Sequence, residues 1–218
     1  MIKLVVFDMD GVLVDSKNAY VGDIHKTLKK YNFNFTKREI SNALGARMIH
    51  TLKNLQNFSF LSIKKISKDV HNRISNEVSS FKMCPYVVPV LKSLKKDKAK
   101  IVLLTNSRKK YALNFLNKHK ITKYFNLVVG GDQFGDKKEV FPKIFRKFKV
   151  KPQEVIYVGD RISDLVLAKG AKCHSLLVYD CSWEKKFIKE KKYYPYIIKD
   201  LRGLVRFKKA EGFLEGRR

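Results

Sequence analysis

Apolar residues along this chain keep two different rhythms, and the change between them divides the sequence. Lys3 to Phe7 holds a short unbroken apolar run, the pattern of a strand buried on both faces. After it, Tyr20, Val21, Ile24, Leu28 and Tyr31 recur at helical spacing and predict a helix over Asn18 to Tyr31. Thr36-Lys37-Arg38-Glu39 has the form of a capping box, which predicts a second, short helix. Ile63, Ile66, Val70, Ile74, Val78 and Phe81 then repeat every three or four residues, so a long amphipathic helix is expected from near Ser62. Residues 17–82 therefore read as consecutive helices with no strand among them.

From Cys84 onward helices and apolar runs alternate. Pro85 to Lys96 is a predicted helix, and Lys100 to Leu104 a buried strand ending in Thr105-Asn106-Ser107. Ser107 is placed to cap a helix over Arg108 to His119. Asn126 to Val129 is a third strand, Val140 to Phe148 a helix with Pro142 tolerated near its start, and Glu154 to Val158 a fourth strand. A helix over Leu165 to Lys169, a strand over Ser175 to Val178 and an edge strand at Tyr196 to Ile198 complete the pattern. Such alternation implies an α/β fold with a doubly wound, Rossmann-like parallel sheet, interrupted by an inserted helical domain. The expected boundaries are a core over 1–16 and 83–210, a helical cap over 17–82, and a frayed basic tail over 211–218.

Length and composition narrow the class without choosing a function. The 218 residues suffice for one sizeable core plus a small insertion, and no run approaches the length of a membrane span. Met1 leads directly into the first strand, so a cytoplasmic location is expected. Cys84, Cys173 and Cys181 lack zinc-site spacing and read as reduced thiols. The 47 Lys and Arg against 20 Asp and Glu give a formal charge of +27, which would draw small anions to a cleft and permits non-specific binding to nucleic acid. The lysines are dispersed in pairs along the chain, as a general lysine bias would leave them.

The candidate chemistry sits at strand ends. Asp8 and Asp10 follow the first strand, Thr105 and Asn106 the second, and Asp160 and Asp164 the fourth; a parallel sheet brings these ends to one side. Two carboxylates two residues apart call for a cation or a shared proton. Lys137 and Lys138 lie in the loop before the helix that precedes the fourth strand.

These motifs in this order resemble the haloacid dehalogenase-like (HAD) hydrolase superfamily, and Phe7 to Ser16 is similar to its phosphoglycolate phosphatase and β-phosphoglucomutase branch. The resemblance implies a helical cap where the helical block falls. It implies Asp8 as a nucleophile forming an aspartyl-phosphate, Asp10 as acid and base, and Thr105 with the Asn106 amide as phosphoryl-binding groups. It also implies Mg²⁺ held by Asp8, the Asp10 carbonyl and Asp160, with Asp164 in support. Where that branch shows Lys-Pro-x-Pro, this chain has Lys137-Lys138-Glu139-Val140-Phe141-Pro142, and Lys138, in preference to its neighbour, is assigned the catalytic role. Leu44-Gly45-Ala46-Arg47 resembles the cap loop that reads the substrate, which makes Arg47 a candidate contact for a carboxylate or second phosphate. The five histidines show no partner pattern. The expected activity is Mg²⁺-dependent hydrolysis of a small phosphorylated metabolite; phosphoryl transfer on a sugar phosphate, or a nucleic-acid-directed protein, are the alternatives. Oligomeric state stays open.

Overall fold

The structure, a computed structural model, describes residues 1–45, 47–77, 81–185, 190 and 196–215. Its centre is a six-stranded parallel sheet in the order β5-β4-β1-β6-β7-β8. The strands are β1 (Leu4–Phe7), β4 (Lys100–Leu104), β5 (Leu127–Val129), β6 (Val155–Gly159), β7 (His174–Val178) and β8 (Ile197–Ile198). β1 lies between β4 and β6, with Phe7 in register with Leu103 on one side and Val158 on the other.

The apolar runs are unbroken because both sheet faces are covered. Val5, Phe7, Ile101, Leu103, Ile156 and Val158 face one core, which continues through α5 (Val87–Lys96) and α6 (Lys109–Lys118) into the helical insertion. Leu4, Val6, Val102, Leu104, Val155 and Tyr157 face the other, beneath α7 (Val140–Phe148) and α8 (Ile162–Gly170). The last helix, α9 (Arg202–Glu215), runs into the segment expected to be a frayed tail.

The insertion holds α1 (Lys17–Lys30), α2 (Lys37–Ala43), α3 (Met48–Leu55) and α4 (Phe60–Glu77). Ile63, Ile66, Val70 and Ile74 form the buried stripe of α4, as their spacing predicts. The capping box at α2 is complete: Glu39 N donates to Thr36 Oγ1 and Thr36 N to Glu39 Oε2. One feature escaped the pattern. Val14–Asp15 (β2) and Lys82–Met83 (β3) pair antiparallel, so both chain crossings between core and insertion run through one short ribbon. Two-residue strands are too short to show a period. Val78, Ala46 and residues 216–218 of the expected tail lie outside the described residues.

Among the described residues no helix is long and apolar enough to cross a membrane. Cys84 and Cys181 are buried and Cys173 is half-buried, all as free thiols.

Candidate active site

Three parallel strands deliver their C-terminal ends to one point. Asp8, Asp160 and Asp164 are buried there, each with a carboxylate oxygen within 4.8 Å of the others. Gly11, at φ +78°, makes the turn after β1 possible; a Cβ there would collide with the Asp160 carboxylate, so the backbone passes against the acid itself.

A lysine reaches this cluster, and it is Lys137. Its Nζ lies 2.9 Å from Asp8 Oδ1, 2.7 Å from the Tyr157 hydroxyl and 3.9 Å from Asp164 Oδ1. The assignment of Lys138 is thereby corrected. Lys138 is exposed and pairs with Asp136 at 3.3 Å. The cause is a 3-10 turn over Lys137–Glu139, started by the Asp136 side chain accepting from Lys138 N at 2.9 Å. Successive side chains in such a turn point about 120° apart, so when one lysine faces inward its neighbour faces out.

Asp164 is saturated: Oδ2 accepts from the backbone amides of Asp160 and Arg161, both at 3.1 Å, and Oδ1 from Tyr157 OH at 3.0 Å. Asp160 is braced from behind by residues that sequence reasoning did not select. Ser182 Oγ donates to its carbonyl at 2.6 Å and Trp183 N to its Oδ2 at 2.7 Å. Among the described residues Asp8 Oδ2 and Asp160 Oδ1 have no hydrogen-bond partner.

Three buried carboxylates face one buried ammonium, a charge set that a divalent cation would balance, and the two unpartnered carboxylate oxygens are hard donors suited to one. Electrostatics agree. Burial pushes the Asp8 carboxyl up to about 6, with Lys137 opposing and Asp164 adding to the rise. Burial, then the Asp164 and Asp8 charges, hold Asp160 well above the carboxylate range. For Lys137, burial works against its charge, but the Asp8 and Asp164 carboxylates outweigh it and raise the ammonium above its ordinary value.

Asp10 is held by three hydroxyls, none of them flagged as its partner by sequence. Its Oδ1 accepts from Ser16 Oγ and Tyr111 OH, each at 2.7 Å, and its Oδ2 from Ser107 Oγ at 2.8 Å. Burial raises its carboxyl, against these hydrogen bonds. The expected helix cap at Ser107 is thus not made. Arg108 is the cap residue of α6, without a side-chain hydrogen bond, and Ser107 faces Asp10 and the Tyr20 hydroxyl, 2.8 Å away on α1.

Thr105 is buried at the end of β4, with Oγ1 accepting from Ser107 N at 3.0 Å. That leaves its hydroxyl proton free for an incoming oxygen. Thr105, Asn106 and the acids line a cavity of about 80 Å³, roofed by α1, the Leu44–Gly45 loop and α4. Arg47 also lines it, but Nη2 crosses to the carbonyl of Gly135 at 2.6 Å and the guanidinium rests on Phe134, 5.8 Å from the ring centre.

Comparison with known proteins shows the family and the fold. A family model described as haloacid dehalogenase-like hydrolase matches residues 5–178. A phosphoglycolate phosphatase from Aquifex aeolicus is 26% identical over 178 residues, covering 78% of this chain and 81% of its own. A phosphorylated carbohydrates phosphatase from Thermotoga maritima is 28% identical over 173 residues, covering 77% and 80% respectively. Among solved structures, a haloacid dehalogenase-like family hydrolase from Streptococcus pneumoniae superposes with a TM-score of 0.80 at 16% identity, over 94% of this chain and 98% of that one.

Proposed function

The chain belongs to the haloacid dehalogenase-like hydrolase family, and we propose that it hydrolyses a small phosphomonoester by way of an aspartyl-phosphate on Asp8. The observation that carries this reading is the convergence on Asp8: a buried ammonium at 2.9 Å and two further buried carboxylates within 4.8 Å, all from remote parts of the chain.

Asp8, pushed up to about 6, is still mainly ionised at neutral pH. Its unpartnered Oδ2 is the nucleophile, while Oδ1 is held by Lys137, which also offsets the charge of an arriving phosphoryl group. Thr105 Oγ1 and the Asn106 amide are placed to bind phosphoryl oxygens as charge builds on them. Asp10, whose carboxyl burial keeps protonated more readily, donates its proton to the departing oxygen. It then takes one from the water that attacks the aspartyl-phosphate. Asp8, Asp160 and the Asp10 carbonyl would hold Mg²⁺, with Asp164 anchoring the loop; the ion would supply Lewis-acid neutralisation of the phosphoryl charge.

A cavity of about 80 Å³ under the helical insertion favours a compact ester, and a two-carbon phosphate such as phosphoglycolate is the first candidate. Helices α1 to α4 are the lid that excludes water. The test is phosphate release from a panel of phosphate esters with and without Mg²⁺. Release from compact esters that is lost in Asp8→Asn is expected; an undiminished Asp8→Asn enzyme would refute the nucleophile, and a sugar-phosphate isomer in place of free phosphate would show a mutase.

A further inference from the structure

Arg161 follows Asp160 directly, yet its side chain leaves the acidic loop and crosses to the lid. Nη1 donates to the carbonyl of Gly45 at 3.0 Å and Nη2 to that of Leu44 at 3.2 Å. These carbonyls belong to the cap residue of α2 and the residue after it. Nε donates to Glu184 Oε1 at 2.8 Å, and Glu184 Oε2 in turn accepts from Ile162 N at 2.9 Å, at the start of α8. The guanidinium is largely withdrawn from water, its side chain 17% exposed, so these acceptors must replace its hydration. The Arg161 amide meanwhile donates to Asp164 Oδ2, so one residue ties the lid to the acidic loop.

Arg161 is also a partition. With Leu44 and Trp183 it lines both the chamber of about 80 Å³ and a second cavity of about 660 Å³ on its far side, between Lys17, Asn42 and Lys185. Withdrawing the guanidinium would remove both the hold on the lid and part of the wall between the two spaces.

We propose that Arg161 is a positioning residue, the latch that holds the lid shut over the phosphoryl site and so limits the size of substrate accepted. The proposal rests on the phosphatase reading for its kinetic consequence, while the latch itself has an independent signature. Trp183, the single tryptophan, lies in the partition with its ring 5.1 Å from that of Tyr20 on the lid, and its indole nitrogen is shielded from solvent. Releasing the latch exposes it.

The test compares Arg161→Ala and Arg161→Lys with the unaltered protein. A lysine keeps the charge but cannot reach Glu184 and two carbonyls at once. Loss of the hold on the two lid carbonyls predicts that KM for a compact ester rises about tenfold in either variant while kcat changes little. The KM for a bulky aryl phosphate does not rise, so selectivity shifts about tenfold toward the larger ester. Acrylamide quenching of Trp183 increases in both. If Arg161→Ala does not fold, Arg161→Lys decides. Unchanged quenching with an unchanged ratio between the two esters, whether both rates hold or both fall together, overturns the latch. Increased quenching in a protein that releases phosphate from no ester supports the latch and refutes the phosphatase reading.

Discussion

The Lys137 ammonium sits 2.9 Å from Asp8 Oδ1, although 129 positions separate the two residues. With side-chain exposures of 7% and 12%, the pair is shielded from solvent, so screening that would weaken a surface ion pair has little access to it. Removing the ammonium leaves a buried carboxylate unpaired and an incoming phosphoryl group unneutralised. Lys137→Met is expected to lower kcat by about a thousandfold, whereas the exposed Lys138→Met stays within about twofold of the parent. Steady-state phosphate release from both variants checks the order, and equal losses would restore Lys138 to the mechanism.

Asp8, Asp160 and Thr105 were legible because a strand's apolar run fixes where it ends, and a parallel sheet fixes which ends meet. The neighbouring lysines were not, since no periodicity sets the register of a 3-10 turn; the Asp136 side chain at Lys138 N does that locally. Ser16, Ser107 and Tyr111 were invisible as partners of Asp10 for another reason. Their hydroxyls converge from the hinge ribbon, the β4 end and α6, and hydroxyl residues of this kind occur throughout the chain. Ser182 and Trp183 behind Asp160 carried no pattern at all, because their hydrogen bonds to it are made by one short side chain and a backbone amide.

Ser107 joins the acid to the lid, donating to Asp10 Oδ2 while lying 2.8 Å from Tyr20 OH. Ser107→Ala removes one of three hydroxyls that orient Asp10 and leaves the phosphoryl-binding groups in place. A fall in kcat of roughly tenfold with KM little changed is expected, as for a lost charge-assisted hydrogen bond. A rise in KM with kcat intact would instead make Ser107 a substrate-binding group.

The three-acid cluster predicts a response to cations that needs no turnover. A divalent ion bound only by the folded protein stabilises it by about 2.7 kcal/mol at a hundred times its Kd. Thermal melts of the chelator-treated protein should therefore rise on titration with Mg²⁺, and Asp160→Asn should remove most of that rise. A variant that responds as the parent does would exclude Asp160 from the ion's ligands.

Asp23 offers a test in the lid, away from the reacting groups. Its side chain is 3% exposed on α1, Oδ2 has no hydrogen-bond partner among the described residues, and the Lys26 ammonium is 3.9 Å from Oδ1. Burial first, then the Glu77 charge from α4, pushes its carboxyl up to about 6, against the pull of Lys26 and Arg73. The folded chain thus prefers the protonated form. Below the ordinary carboxylate value of 3.8 the group costs nothing, and as pH rises from there through about 6 the folded state loses stability relative to the unfolded one. Asp23→Asn keeps the shape and removes the charge, so it should stabilise the protein by about 1–2 kcal/mol at pH 8 and leave it nearly unchanged at pH 4. In a chain of this length that amounts to a melting temperature higher by roughly 3–6 °C at the upper pH. An equal gain at both pH values would mean that the substitution acts through packing, and that the Asp23 carboxyl titrates alike in the folded and unfolded chain.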